Sequence, residues 1–344
     1  MNDSSKVSLG LAIAERKIVW LCAGWALCSM AVLIVTAVLP SAARSASFGV
    51  ALGSGTDVLK AGAFGIATAL CWRNAKDSSI ISGQIVWQAI AIGLGFHTLG
   101  DTTTLLWHLL WGAATTVALS AVFYGASYLF LAIGLFNAVL PRQTSLTPVQ
   151  SLGVAVFGVL GILLASWINF YMPVTLEANA SAATQIDIQS IDSQSINIQR
   201  VDIQSAAQEI VTPKTATTSA QPKGAKAPPA IIQTIDKRLE PITRNMRLLY
   251  VAGDCILIVM AAALLIAFWG GAYSEAWKLI ALAGMCLYVA DMLMIYHHRQ
   301  SSYIPGSLWE IFWVLSALFF GLGASVEHGV SVQMRQKRSR QQWI

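Results

Sequence analysis

Eight nearly continuous apolar runs, each long enough to cross about 30 Å of hydrocarbon, divide this chain of 344 residues. They lie at 18–39, 51–72, 80–106, 118–140, 152–172, 248–269, 277–296 and 308–326. Inside a bilayer the backbone must satisfy its own polar groups, so runs of this length form helices. The third run is the least regular, because Gly95, Gly100 and Asp101 interrupt it. The first is too long for the apolar part of a cleavable leader and no Ala-x-Ala site follows directly, so it reads as a span. Composition agrees: 56% of residues are hydrophobic and 11% charged. That excludes a disordered regulator and leaves too little charge for the surface of a soluble enzyme. The five Cys are too few, and odd in number, for a disulfide framework. Cys22, Cys28, Cys71, Cys255 and Cys286 all fall in predicted spans without zinc-like spacing, and read as small buried residues. The expected fold is all-α, an integral membrane protein of eight transmembrane helices.

Lys and Arg near span ends set orientation. With termini inside, the inner segments hold ten: Lys6, Arg16, Lys17, Arg73, Lys76, Arg142, Arg335, Lys337, Arg338 and Arg340. The outer segments hold four: Arg44, Arg244, Arg247 and Arg299. Both termini are therefore expected on the cytoplasmic side. The net charge of +5 then serves topology, and the basic tail reads as an anchor against anionic lipid rather than a nucleic-acid site.

Two halves of the chain align. Asp57 precedes Trp72 by fifteen residues, and Asp254 precedes Trp269 by fifteen. Leu99-Gly-Asp101 corresponds to Val289-Ala-Asp291, and Leu119-Ser-Ala-Val-Phe-Tyr124 to Leu308-Trp-Glu-Ile-Phe-Trp313. Pro40 and Pro173 close the first and fifth spans. This predicts a tandem repeat of two four-helix units, at 18–147 and at 148–173 with 248–326. An even span number gives both units the same sense, a parallel repeat about an axis along the membrane normal. Residues 1–17 form a cytoplasmic N-tail and 327–344 a basic cytoplasmic tail.

Residues 174–247 differ in character, holding 15 of the 39 charged residues. They read as an external, largely flexible insert in the second unit. Within it, four pentads of the form Ile-Asp-Ile-Gln-Ser occupy 186–205, a period that fits neither helix nor strand alternation. A Pro-, Lys- and Thr-rich linker follows. Residues 236–247 are amphipathic enough to lie on the outer membrane surface.

Ionisable groups inside a bilayer are costly and point to function. Given the topology, Asp57, Asp101, Asp254, Asp291 and Glu310 all fall in the outer half of the membrane. His97 precedes Asp101 by four residues, on the same helical face. Tyr124 and Trp309 begin their spans at this level, and Tyr303 stands above them with Pro305. Two readings stay open. One is an outward-facing polar cavity for a small polar ligand, a cation or protons. In the other the acids are structural, capping helix N-termini or pairing between helices; capping does not suit Asp101 and Asp291. His108, His297 and His298 read as interfacial rather than as haem ligands. No GxSxG or HExxH motif is present. No catalytic residue, metal site or cofactor is therefore assigned.

Three segments carry a resemblance. They are Leu249-Tyr-Val-Ala-Gly-Asp-Cys-Ile-Leu257, Tyr288-Val-Ala-Asp-Met-Leu-Met-Ile-Tyr296 and Ser302-Tyr-Ile-Pro-Gly-Ser-Leu-Trp-Glu-Ile-Phe-Trp313. Together they resemble the membrane-embedded input region of bacterial, notably cyanobacterial and actinobacterial, diguanylate cyclase (GGDEF-type) signalling proteins. In that family Pro is usual where Val251 stands, and Asp where Ala121 and Glu310 stand. The first half matches more loosely, and the insert lies outside the resemblance. Since about 18 residues follow the last span, a catalytic output domain is not expected. The resemblance implies a stand-alone, non-enzymatic sensor or interaction module of a bacterial inner membrane, cytoplasmic or thylakoid-type. It would act through a separate protein partner on the cytoplasmic side, and self-association is compatible with it. An ion- or proton-coupled carrier or channel and a membrane-embedded lipid hydrolase are the alternatives.

Overall fold

The computed structural model describes residues 3–39, 47–111, 118–140, 146–172, 229–268, 274–300 and 306–341. The pentads at 186–205, most of the linker, and Pro40, Arg44, Arg142, Pro173, Trp269, Tyr303 and Pro305 lie outside the described residues.

The described residues form eight long helices and no strand. They are α1 (Asp3–Val38), α2 (Ser47–Lys76), α3 (Gln84–Trp111), α4 (Ala118–Val139), α5 (Pro148–Ser166), α6 (Ala230–Ala267), α7 (Ser274–Arg299) and α8 (Ile311–Gln341). A π-turn, Trp167–Tyr171, ends α5, and a 3-10 turn, Leu308–Glu310, leads into α8. Six helices are long and apolar enough to cross a membrane: α1, α4, α5, α6, α7 and α8. This makes the chain a multi-pass helical membrane protein. The expectation of eight such helices is thus met by six among the described residues. α2 and α3, at 30 and 28 residues, have the length but not the apolarity. The reason is local: α2 carries Ser54, Thr56, Asp57 and Lys60, and α3 carries His97, Thr98, Asp101 and the run Thr102–Thr104.

Three helices outrun their predicted spans, because no breaker stands at the expected boundary. α1 begins in the expected N-tail and α8 continues through the basic tail to Gln341. α6 begins at Ala230, so residues 230–247 continue without interruption into a membrane helix, with Pro241 inside it. They are not a separate surface helix.

Six helices close a ring: α2 packs on α3, α3 on α4, α4 on α6, α6 on α7, α7 on α8, and α8 back on α2. α1 lies outside against α2 and α8, and α5 outside against α6. Burial separates the two groups. Only 17% of the α1 span and 22% of the α5 span are buried, against 67% for α8. Arg299 fastens the end of α5 to α7, donating to the carbonyl of Met172 at 2.8 Å and to that of Asn169.

Close approach within the ring depends on glycine. A Cβ on Gly134 of α4 would stand 2.7 Å from Ile90 Cγ1, 3.1 Å from its amide nitrogen and 3.3 Å from the Val86 carbonyl of α3. A Cβ on Gly323 of α8 would stand 2.7 Å from Ile280 Cδ1 and 3.0 Å from the Ala276 carbonyl of α7. The two contacts match position for position. The core between them is fully buried, with Phe64, Trp87, Leu94, Leu131, Leu257, Trp277, Leu287 and Phe320. Trp87 of α3 and Trp277 of α7 meet at 5.8 Å between ring centroids.

Candidate functional site

The predicted acids gather at one end of the ring, called the Glu310 end. Each is placed by a helix already in progress. Asp57 lies well inside α2 and Asp254 well inside α6. The N-terminal capping expected for these two is therefore corrected, because both helices start several turns earlier. Glu310 ends its 3-10 turn and reaches back past it: Oε1 accepts the Gly306 amide, just before the turn's N-cap Ser307, at 2.8 Å. Gly306 has φ +79°, a left-handed conformation that favours glycine. Its position against Thr36, where a Cβ would stand 2.6 Å from Cγ2, also excludes a side chain.

The first group centres on Lys60. Its Nζ lies 2.9 Å from Asp57 Oδ1 and 3.2 Å from Glu310 Oε2, and 4.9 Å from the centre of the Trp313 ring. Asp57 Oδ2 also meets His108 Nδ1 at 3.1 Å. This joins α2, α3 and α8. Beside it a cavity of about 10 Å³ is lined by Ser29, Thr56, Lys60 and Glu310, space for about one water.

In the second group, Tyr124 of α4 donates to Asp101 Oδ1 of α3 at 2.8 Å. His97 is buried next to it, stacked on Phe64 at 3.9 Å and 5.0 Å from the Tyr124 ring. Its Nδ1 meets Ser127 Oγ at 3.5 Å. His97 and Asp101, on one helical face, thus make separate contacts across to α4, with Ser127 and Tyr124.

Tyr128, one turn along α4 from Tyr124, organises the third group. Its hydroxyl is 3.0 Å from Asp254 Oδ1 of α6 and also bonds Asp291 Oδ2 of α7. Trp313 Nε1 of α8 donates to Asp291 Oδ1 at 3.0 Å. Asp254 is fully buried, and Asp101 and Asp291 nearly so. Asp101 Oδ2 and Asp254 Oδ2 have no hydrogen-bond partner among the described residues. Asp101 is within coulombic range of Lys60, Asp57 and Asp291, so the three groups form one electrostatic unit. Trp309 joins its edge, 5.3 Å from Trp313 and stacked on His297 at 5.6 Å.

At the opposite, Glu327 end the link between α2 and α3 grips α8. Asn74 Nδ2 donates to the Ala324 carbonyl at 2.7 Å, the Ser82 amide to Glu327 Oε1 at 3.3 Å, and the Ile81 amide to Ser331 Oγ at 3.3 Å. His328 Nε2 lies 3.5 Å from Asp77 Oδ2. The Ser79 hydroxyl and amide both donate to Asp77 Oδ1, which holds that carboxyl below its ordinary range. Phe64, Leu94, Leu131, Leu257, Leu287 and Phe320 separate the two polar ends.

The structure thus brings together eight of the nine predicted site residues; Tyr303 lies outside the described residues. Sequence reasoning missed Lys60, Tyr128, Trp313 and Glu327. Lys60 had a signal, standing three residues after Asp57 on one helical face. Tyr128 stands four after Tyr124, and Trp313 occupies the place of Tyr124 in the second half.

No known protein family, curated protein or solved structure matches the chain. Among the described residues no three acidic, His or Cys side chains converge as metal ligands.

Proposed function

We propose that this protein is a duplicated eight-span membrane sensor or regulatory module, which acts through a separate partner at the cytoplasmic face of a bacterial inner membrane. Duplication is supported by the matched contacts. Gly134 and Gly323 meet Ile90 and Ile280 alike, and Tyr124 and Trp313 each donate to the Asp of the preceding helix. The ring has the same symmetry: α4 of the first unit packs on α6 of the second, and α8 of the second on α2 of the first. With both termini inside, the Glu310 end faces outward.

One observation carries the functional reading. α8 with its leading turn contributes Glu310 and Trp313 to the outer network, then Glu327 and His328 to the inner clasp, without a break. A change at the outer acids therefore has a rigid path to the inner face, across an apolar layer that separates the two polar ends. The resemblance to the input region of GGDEF-type proteins supports the same role.

The test uses the full chain in lipid vesicles, with a nitroxide on Gln333→Cys in a background without native cysteines. Asp291→Asn and Trp313→Phe should both change the mobility or distance signal at that inner position. An inner signal unmoved by either substitution refutes the sensor reading. The second reading, a proton-coupled carrier, is favoured by the hydroxyl shared between Asp254 and Asp291. Proton-driven flux lost in Asp291→Asn would select it.

A further inference from the structure

We propose that Asp254, Tyr128 and Asp291 form a proton-binding site, and that the proton it exchanges with the outer side is the stimulus of the module. The proposal rests on the sensor reading for the word stimulus, but not for the site itself.

The argument is a count of hydrogens. Tyr128 Oη lies within hydrogen-bond reach of one carboxyl oxygen on α6 and one on α7. A phenol has one hydrogen and otherwise only lone pairs. If it donates to Asp291, it can only accept from Asp254, and the reverse holds as well. Both contacts are satisfied together only when one of the two carboxyls carries a hydrogen of its own. The site therefore holds two hydrogens among three oxygens when occupied, and one when empty.

The surroundings leave this role to a proton. Lys60 and His108 engage Asp57 and Glu310. Besides the contact between the two carboxyls themselves, the hydrogen bonds to Asp254 and Asp291 among the described residues come from a phenol and an indole, both neutral donors. The titratable groups facing the pair are Asp101 from α3, Tyr128 from α4, Tyr250 and Cys255 from α6 and Tyr288 from α7. None of them is a cation. The α5 segment Pro148–Ser166, packed behind α6, contains no titratable side chain. Asp254 Oδ1 faces the phenol, so a proton added there completes both contacts, while Asp254 Oδ2 stays fully buried and without a partner among the described residues.

The step balances simply. A proton from outer water bonds to a carboxylate oxygen of the pair, and no other bond breaks. Its release leaves two carboxylates sharing one phenol hydrogen. They repel, across the α6–α7 contact. Because Trp313 donates to Asp291 Oδ1, the change reaches α8 directly.

Infrared difference spectra of the full chain in vesicles test this, as the pH is stepped from alkaline to acid. The wild type should gain a protonated-carboxyl C=O band. Tyr128→Phe, which keeps the ring, should shift one component of that band. Asp254→Asn and Asp291→Asn should each abolish the same component. If no component responds to Tyr128→Phe or to either Asn variant, the proposal is overturned, and Tyr128→Phe alone decides if the Asn variants do not fold. A component abolished by sodium at fixed pH would assign the charge balance to a metal cation and overturn it equally. The Gln333 label separates the two ideas. A band without movement of that label keeps the proton site and removes the sensor; movement without the band does the opposite.

Discussion

Lys60→Met is the most informative single substitution in the network at the Glu310 end. Methionine keeps most of the side-chain volume and removes the ammonium. At 2.9 and 3.2 Å, each ion pair is worth roughly 5–6 kcal/mol at an effective dielectric constant of about 20. Desolvation of each ion offsets several kcal/mol of this, so the intact cluster is near balance. The variant is not. Glu310 is 1% exposed and among the described residues retains the Gly306 amide on its other oxygen, while Asp57 retains His108. Stranding a buried charge in this way costs about 3–5 kcal/mol. Equilibrium unfolding in mild detergent should show that loss for Lys60→Met. Adding Glu310→Gln should recover a substantial part of it, because the stranded charge is then gone. A single-variant cost below about 1 kcal/mol, as for an exposed pair, would refute the reasoning. So would strictly additive losses in the double variant.

Three further outcomes are expected. Gly134→Ala and Gly323→Ala should each cost about 1–3 kcal/mol through overpacking, and by similar amounts. Gly53→Ala, with nothing within 4 Å of its Cβ, should be near neutral by the same assay. Tyr124→Phe and Trp313→Phe should each lose about 1–3 kcal/mol, by leaving a buried Asp oxygen without its donor; thermal unfolding of the pair tests their equivalence. Asp77 has a folded-state pKa below its unfolded one, so its contribution is present above about pH 4 and lost as pH falls through the lower folded value. Asp77→Ala should therefore be less stable than wild type at neutral pH and converge with it in strong acid, as read by Tm against pH.

Much of this arrangement is legible in the residue string. Apolar runs register as helices because their length leaves few other solutions, and all eight predicted spans coincide with long helices. The acids meet because their heights in the ring follow from their distance to a span end. The termini of α1, α6 and α8 were not legible, since a span signal stops where apolarity stops while a helix stops only at a breaker. Nor was the neutral character of the Asp254–Asp291 donors. Tyr128 lies in an apolar run and looks like lipid-facing aromatic surface until α6 and α7 are placed beside it. Lys60 lies inside a predicted span and enters no topology count, and its role as an internal counter-ion shows only once α8 brings Glu310 to it.

The N-terminal extension of α6 has a mechanical consequence. From Ala230 to Asp254 the helix rises about 36 Å at about 1.5 Å per residue, so it is a long arm on the helix that carries Asp254. Pro241 stands in that arm. Its missing amide leaves the Lys237 carbonyl without its helical donor, and its ring crowds the same carbonyl. Bending of the arm is therefore concentrated at Pro241. Displacement of the Ala230 end is taken up at this joint, more than three turns before the helix reaches Asp254.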